Sequence, residues 1–469
     1  MATTPAAGDE LERKSWWLRE VAPVADVTPL QGSRRADVCV VGGGFTGLWT
    51  ALRIKELDPS AEVVLIEAEV CGAGASGRNG GFAMTFWHHF LALESACGTP
   101  EALSLARASA DAVEELGTFC QENSIDAHYR RGGWLWTATN VAQLGAWERT
   151  ITAIERHGDE PFVRVAPEEL QARSGSRAHI AGVLEPLSAT VQPAALARGL
   201  VRVARRRGVE VFERSPMIAL ERSPTLAVRT PGGDVAADRV VIAMNAWSLR
   251  LQELRRALVV VASDIAITDP APEELARTGW RDGVSISDSC LMVHYYRTTL
   301  DGRIAFGKGG GRLGYDARIG ASFNGPSPME QELAARLRAV YPAFAAVPIA
   351  ASWAGPIDRT VDGLPFFHAL GRPDLLCGAG YSGNGVAPSL LGGRILASMA
   401  LGRDDDWARC GLVRRPPRGL PAEPFRYIGG RIVRSAVARK ERAEEAGRRP
   451  TRFDRAVARL APAGLVPLD

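Results

Sequence analysis

Three glycines and one carboxylate carry the first chemical signal in this 469-residue sequence. Gly42, Gly44 and Gly47 stand in the order G-x-G-x-x-G, and Glu67 follows the last of them at the usual interval of about 20 residues. Glycine at the first position permits a sharp turn. At the second it lets backbone approach a pyrophosphate, and at the third it lets a helix lie close to a sheet. Glu67 can accept hydrogen bonds from both hydroxyls of a ribose. The chemistry on offer is the gripping of a dinucleotide.

Those residues work only if the chain positions them. The apolar run 36–41 reads as a strand, 45–57 as a helix, and 62–66 as a second strand with Glu67 at its tip. The helix start then aims free N–H groups and a partial positive charge at the phosphates. A second glycine-rich turn, Gly380-Tyr-Ser-Gly-Asn-Gly-Val386, follows another apolar run and opens a helix over 386–401. Between the two turns, periodicity predicts helices at 100–123 (N-capped by Thr99), 141–157, 167–173, 192–207 and 327–341. Strands are expected at 209–213 and 259–268. Paired strands are expected within 125–139, within 226–241 around Pro231-Gly-Gly233, and within 287–307 around Leu300-Asp-Gly302. Trp16 and Trp17 are expected to pack on the body of the protein.

The expected class is α/β (α+β overall). A Rossmann-like cofactor domain is joined to a second, mainly antiparallel-sheet substrate domain and a partly helical C-terminal tail. The expected boundaries are a leader at 1–34, a discontinuous cofactor domain at 35–90, 175–250 and 350–402, a substrate or cap domain at 91–174 and 251–349, and a loosely attached basic extension at 403–469.

Composition is that of a globular protein, and the net charge of +3 is too small to imply a nucleic-acid partner. The seven cysteines (Cys39, Cys71, Cys97, Cys120, Cys290, Cys377 and Cys410) are odd in number and contain no C-x-x-C pair, so neither a metal site nor a disulfide framework follows. A reducing cytoplasm is the simplest compartment. No signal-peptide pattern and no transmembrane run is present. From about residue 413 onward basic residues exceed acidic ones by about eight; that tail could meet an acidic partner or surface.

Shortly after Glu67 comes Cys71-Gly-Ala-Gly-Ala-Ser-Gly-Arg-Asn-Gly-Gly81. A loop this rich in glycine suits a backbone that must lie against a large flat cofactor. With it, the chain resembles the D-amino-acid oxidase superfamily of FAD-dependent amine oxidoreductases, nearest its bacterial γ-glutamylputrescine oxidase-like branch. The segments that carry the resemblance are Val41–Gly47, Gly74–Gly81, Ala243-Met-Asn-Ala-Trp247 and Gly380–Val386.

The resemblance implies FAD, with its pyrophosphate on Gly42, Gly44, Phe45, Thr46 and Gly47 and its adenosine ribose on Glu67. Ser76, Arg78, Asn79, Gly80 and Gly81 would line the flavin and its phosphates, and Met217 would meet adenine. Ala243 and Asn245, with Gly380, Tyr381, Ser382, Gly383, Asn384, Gly385 and Val386, would complete the cofactor contacts. A helix start beside the flavin ring stabilises the negative charge of reduction. Related families attach FAD through a cysteine matching 353–367 or a histidine at the 74–81 loop. Neither is present in those stretches, so non-covalent FAD is expected.

The implied reaction transfers a hydride from the carbon beside nitrogen to flavin N5, leaving an imine that hydrolyses. It needs orientation more than a protein base. Candidate catalytic residues are His294 and Tyr296, on one face of a strand whose other face holds Tyr295 and Arg297, together with Lys308, Arg312, Trp353 and Asn384. By resemblance to sarcosine oxidases, Arg312 stands at or near the position of their lysine that promotes reaction with oxygen; a guanidinium there could also grip an anionic substrate group. His88 and His89 follow the flavin loop, and Asp358, Arg359 and Asp362 read equally as pocket residues or as a surface ion network. The expected function is oxidation of a small amine or amino acid with O2 as acceptor. A dehydrogenase that passes electrons to a quinone or carrier protein and a non-catalytic flavoprotein subunit are the alternatives.

Overall fold

The computed structural model describes residues 11–22, 24–316, 318–415 and 417–462. Its first large sheet is built outward from Gly32–Val41. The apolar end of that strand, Val38 to Val41, pairs in parallel with Val63–Ile66 on one side and with Gly233–Ile242 on the other. All four residues of Val63–Ile66 are buried, as a central parallel strand requires. Glu210–Phe212 and Leu375–Ala379 extend the parallel sheet in the two directions, and antiparallel Phe366–Ala369 closes one edge. A hairpin through Pro231-Gly-Gly233 folds Leu226–Thr230 back onto Gly233–Ile242.

Helices Phe45–Leu57, Thr99–Glu122, Pro193–Arg206 and Pro388–Ala400 share one core against this sheet. Pro193–Arg206 starts where expected: the Gln192 side chain accepts from Ala195 N at 2.7 Å and proline takes the first helical position.

The second sheet has the order Ile349–Arg359, Val259–Thr268, Ile304–Lys308, His294–Thr298, Ser285–Asp288, Trp134–Ala138, Ala181–Glu185 and Val163–Arg164. It is mainly antiparallel, with one parallel pair between Ser285–Asp288 and Trp134–Ala138. One of its faces packs an aromatic core in which Tyr296 stacks on Phe306 at 4.8 Å and Trp280 stacks on Tyr341 at 5.1 Å.

The expected class therefore stands, but strand pairing moves some boundaries. Ala181–Glu185 and Ile349–Arg359 join the second sheet, although the sequence grouped 175–250 and 350–402 with the first. The leader gives up Gly32 to Arg34, which already pair in the first sheet. The stretch 125–139 yields one strand, Trp134–Ala138, and 141–157 yields a short turn of helix at Val141–Gln143 before Glu148–Glu155. The seven cysteines are all free.

The C-terminal extension departs most from expectation. Its helices Phe425–Glu445 and Arg452–Ala458 pack together and are firmly seated. Arg426 Nη1 donates to Leu258 O at 3.1 Å, Arg434 Nε donates to Gly311 O at 2.6 Å, and Glu441 accepts from Met292 N at 3.0 Å. Val437 and Ala458 are buried with Met292. Its cations find carbonyl acceptors on the body, which a count of charges cannot reveal.

Buried Arg297 ties the second sheet to the loop of the first. Its Nε donates to Gly80 O at 2.6 Å, its Nη2 donates to Val191 O at 2.7 Å, and its guanidinium lies 4.8 Å from the Trp17 ring. Trp17 in turn donates to Asn79 O at 2.9 Å, so the Trp16–Trp17 knot packs on the body as expected. Burial lowers the Arg297 pKa to about 9. Arg297→Met leaves two carbonyls without donors and is expected to cost roughly 2–4 kcal/mol, read as a lower denaturant midpoint. A change within about 0.5 kcal/mol, typical of a surface substitution, would show that Arg297 does not tie the two sheets together.

Candidate functional site

A long cavity opens between the two sheets, and both glycine-rich turns face it. At one end, Glu67 sits on the tip of its strand and accepts from Gly43 N at 2.8 Å and from Glu69 N at 3.0 Å. Burial raises its pKa, against the pull of those two N–H donors. Ser215, Pro216 and Met217 line the same end. The cavity then passes Gly42, Gly44, Phe45 and Thr46, where helix Phe45–Leu57 begins; Ser76 Oγ already accepts from Phe45 N at 2.8 Å.

Gly42 has φ +113°, and a Cβ there would lie 2.4 Å from Ala243 O. Gly47 does not reach the cavity. Its Cβ would lie 2.0 Å from Gly42 O, so it permits the helix-to-strand approach that holds the turn.

Ser76, Arg78, Asn79 and Gly80 line the middle, followed by Ala243, Asn245, Tyr381, Ser382, Gly383, Asn384, Gly385 and Val386. Gly81 and Gly380 stand behind this wall. A Cβ on Gly81 would meet Val191 O at 2.1 Å and the Arg297 guanidinium, and Gly380 donates its N–H to Asp358. Four buried polar atoms on the lining residues have no partner among the described residues: Arg78 Nη1, Asn245 Oδ1, Asn384 Oδ1 and the Tyr381 hydroxyl. Buried polar groups are rarely left unpaired. A donor, two acceptors and a hydroxyl spread along one cavity fit a long ligand with phosphate and ring polar groups, as FAD has.

Of the candidate catalytic residues, only Asn384 lines the cavity. Its Nδ2 donates to Thr85 O at 3.3 Å and lies 3.4 Å from His88 Nε2. The others are held elsewhere. Tyr296 lies in the aromatic core, and His294, on the same strand face, binds Asp288 through Nδ1 at 2.7 Å. Lys308 pairs with Glu332. Arg312 pairs with Asp264 at 3.2 Å and donates to Ser322 O at 2.5 Å. Trp353 is buried, donates to Arg78 O at 2.8 Å and meets Trp17 edge-on, so it supports the cofactor loop from behind.

The opposite strand face supplies the cavity. Tyr295 lines it, seated against Gly307, where any Cβ would fall 2.2 Å from its ring; its hydroxyl lies 2.7 Å from Ser263 Oγ. His88, His89, Ser287, Leu291, Val293 and Gly310 complete this end. Burial lowers the pKa of both histidines, that of His89 to about 4, so both imidazoles are neutral near pH 7.

Asp358 is fully buried rather than part of a surface network. Its carboxylate accepts from Gly380 N and from Asn245 Nδ2 at 2.8 Å, joining the late turn to the Ala243–Trp247 segment. Burial pushes its pKa up to about 7. Asp362 pairs with Arg415, and Arg359 lines the cavity.

The sequence model for FAD dependent oxidoreductases (DAO) matches residues 37–399. A gamma-glutamylputrescine oxidoreductase of Escherichia coli strain K12 is 29% identical over 426 residues, covering 90% of this chain and 94% of its own length. A glycine oxidase of Bacillus licheniformis is 25% identical over 390 residues, covering 79% of this chain and 94% of its own. Among solved structures, the glycine oxidase of Geobacillus kaustophilus superposes with a TM-score of 0.66 at 22% identity, over 82% of this chain and all of that one. The L-proline dehydrogenase of P. horikoshii gives 0.64 at 20% identity, over 81% of this chain and 100% of its own.

Proposed function

The chain belongs to the FAD dependent oxidoreductase family, and from that premise we propose that it oxidises the C–N bond of a small amine or amino acid with O2 as acceptor. It is an FAD enzyme of the amine- and amino-acid-oxidising class. The observation that carries the finer reading is the change of character along the cavity. The cofactor stretch is glycine, serine and backbone N–H, whereas the far end is hydroxyl, neutral imidazole and aliphatic, with the Arg359 guanidinium close enough to His89 to act on its charge.

When bound, FAD would supply a two-electron acceptor for the hydride leaving the carbon beside nitrogen, with O2 and two protons as the final acceptor to give H2O2. Glu67 would hold the ribose, the start of helix Phe45–Leu57 the pyrophosphate, and Asn245 and Asn384 the flavin end. The cofactor is held without a covalent bond, so acid precipitation releases all the colour into the supernatant.

The amine must lose its proton before the C–H bond breaks. A facing carboxylate would favour the ammonium form. Ser263, Ser287 and Tyr295 instead offer hydroxyl oxygens to an N–H, and Asp358 is already committed to Gly380 and Asn245. Leu291 and Val293 keep water from the reacting carbon. Water added to the imine completes the C–N cleavage.

The test follows the visible absorbance of the flavin while amines are added without oxygen. The panel holds γ-glutamylputrescine, glycine, N-methyl amino acids, ω-amino acids and aminophosphonates. Bleaching by one of them, then rapid recovery in air with peroxide release, is the expected result. Slow recovery in air but fast recovery with a quinone would make the enzyme a dehydrogenase. A flavin that no amine bleaches would make it a non-catalytic subunit. Tyr295→Phe is expected to lower kcat/KM about tenfold, the worth of one hydrogen bond. The two histidines are expected to add no limb of their own to the pH profile near 6.5, because burial keeps both neutral there.

A further inference from the structure

We infer that the C-terminal helical hairpin docks on an anionic lipid surface as a peripheral contact. Among the described residues thirteen large apolar side chains are exposed, and five of them lie on this hairpin. Such a concentration in one short segment is not the scatter expected of an ordinary surface. On Phe425–Glu445, Phe425, Ile428 and Ile432 recur at spacings of three and four, which places them on one stripe. Arg431, Arg439 and Arg442 continue the same stripe. The following helix and the turn after it repeat the pattern, with exposed Phe453 and Leu460 flanked by exposed Arg452 and Arg459.

No carboxylate lies on either stripe. Glu441 faces inward to Met292 N, Glu444 pairs with Lys440 at 2.8 Å, Glu445 pairs with Arg336, and Asp454 is buried against Arg439. Arg431 and Arg442 meet no carboxylate among the described residues: one covers the Tyr427 ring and the other donates to Ala438 O. No helix among the described residues is long and apolar enough to cross a membrane.

Cations interleaved with large apolar side chains match a bilayer surface, where phosphates meet acyl chains. A second copy of this chain would bring the same arginines against one another, which disfavours self-pairing. A nucleic acid would use the arginines but leave the apolar side chains without a partner.

The experiment is sedimentation of the full-length holoprotein with vesicles. Pelleting with phosphatidylcholine vesicles that contain phosphatidylglycerol, and not with phosphatidylcholine alone, is the expected result, weakening as salt rises. Each arginine near an anionic surface contributes roughly a fivefold gain in affinity. Arg431→Glu with Arg442→Glu is therefore expected to weaken binding by about a hundredfold or more while flavin absorbance stays unchanged. Phe425→Asp with Ile432→Asp should abolish pelleting equally; both positions are exposed, so retained flavin absorbance confirms the fold. The inference is overturned by wild-type protein that stays in the supernatant with every vesicle. It is also overturned by variants that pellet like wild type, or by a vesicle-free dimer that Phe425→Asp dissolves.

Discussion

Gly42→Val protein is expected to emerge from purification colourless. The native φ of +113° is open to glycine and strained for any branched side chain. The obstacle is also steric: an added Cβ would sit 2.4 Å from Ala243 O, at the end of a neighbouring strand, where backbone cannot give way cheaply. Strain and overpacking together cost about 3 kcal/mol or more, and the displaced turn is the one proposed to hold the pyrophosphate. The measurement is the ratio of visible to ultraviolet absorbance after purification with excess FAD. Gly320→Ala is the control, because its Cβ meets nothing within 4 Å. A yellow Gly42→Val protein with full flavin content would refute the assignment of this turn to the cofactor.

The second large effect is expected at Asp358. Asp358→Ala leaves two buried donors, Gly380 N and Asn245 Nδ2, facing a gap. Losing both acceptors costs roughly 2–5 kcal/mol, so FAD should bind about thirty- to several-thousandfold more weakly. Asp358→Asn should recover most of this. Its oxygen can still accept from Gly380 N, and its amide can donate to Asn245 once that side chain turns over.

The two variants also differ from wild type in pH dependence. The folded-state pKa of Asp358 is raised to about 7 from an ordinary 3.8. The folded protein therefore holds the proton more tightly than the unfolded chain does. Stability falls as pH rises from about 3.8 to about 7, and the fall is complete above that range. Denaturation of cofactor-free protein across this window should show a decline that Asp358→Asn flattens. An unchanged slope in the variant would show that another group sets it.

The geometry of the cavity end proposed for adenosine was legible because its constraints are local. A strand, a turn, a helix start and an acid at a fixed interval lie within residues 36–67, and Glu67 and the glycines stand where that spacing puts them. The substrate half was not legible, because strand parity leaves two faces and distant residues choose between them. Trp280 and Tyr341 take one face of His294–Thr298 for the core, so Tyr296 goes inward and Tyr295 outward. Lys308 and Arg312 looked free in a glycine-rich stretch, and only the fold brings Glu332 and Asp264 to them. His88 and His89 carried a usable hint in their place after the flavin loop. Asp358 carried none, since its burial depends on Ile349–Arg359 running beneath the late turn.

The order of strands in the first sheet has a consequence for biosynthesis. Gly233–Ile242 lies between Gly32–Val41, made early, and Leu375–Ala379, made late. A nascent chain can pair its first strands as they leave the ribosome, yet the end of the cavity proposed for the flavin ring does not exist until residues near 386 have emerged. Folding contacts of such long sequence separation are slow to form. Flavin capture thus comes near the close of translation, and a message cut short upstream of that point yields a polypeptide with half a grip.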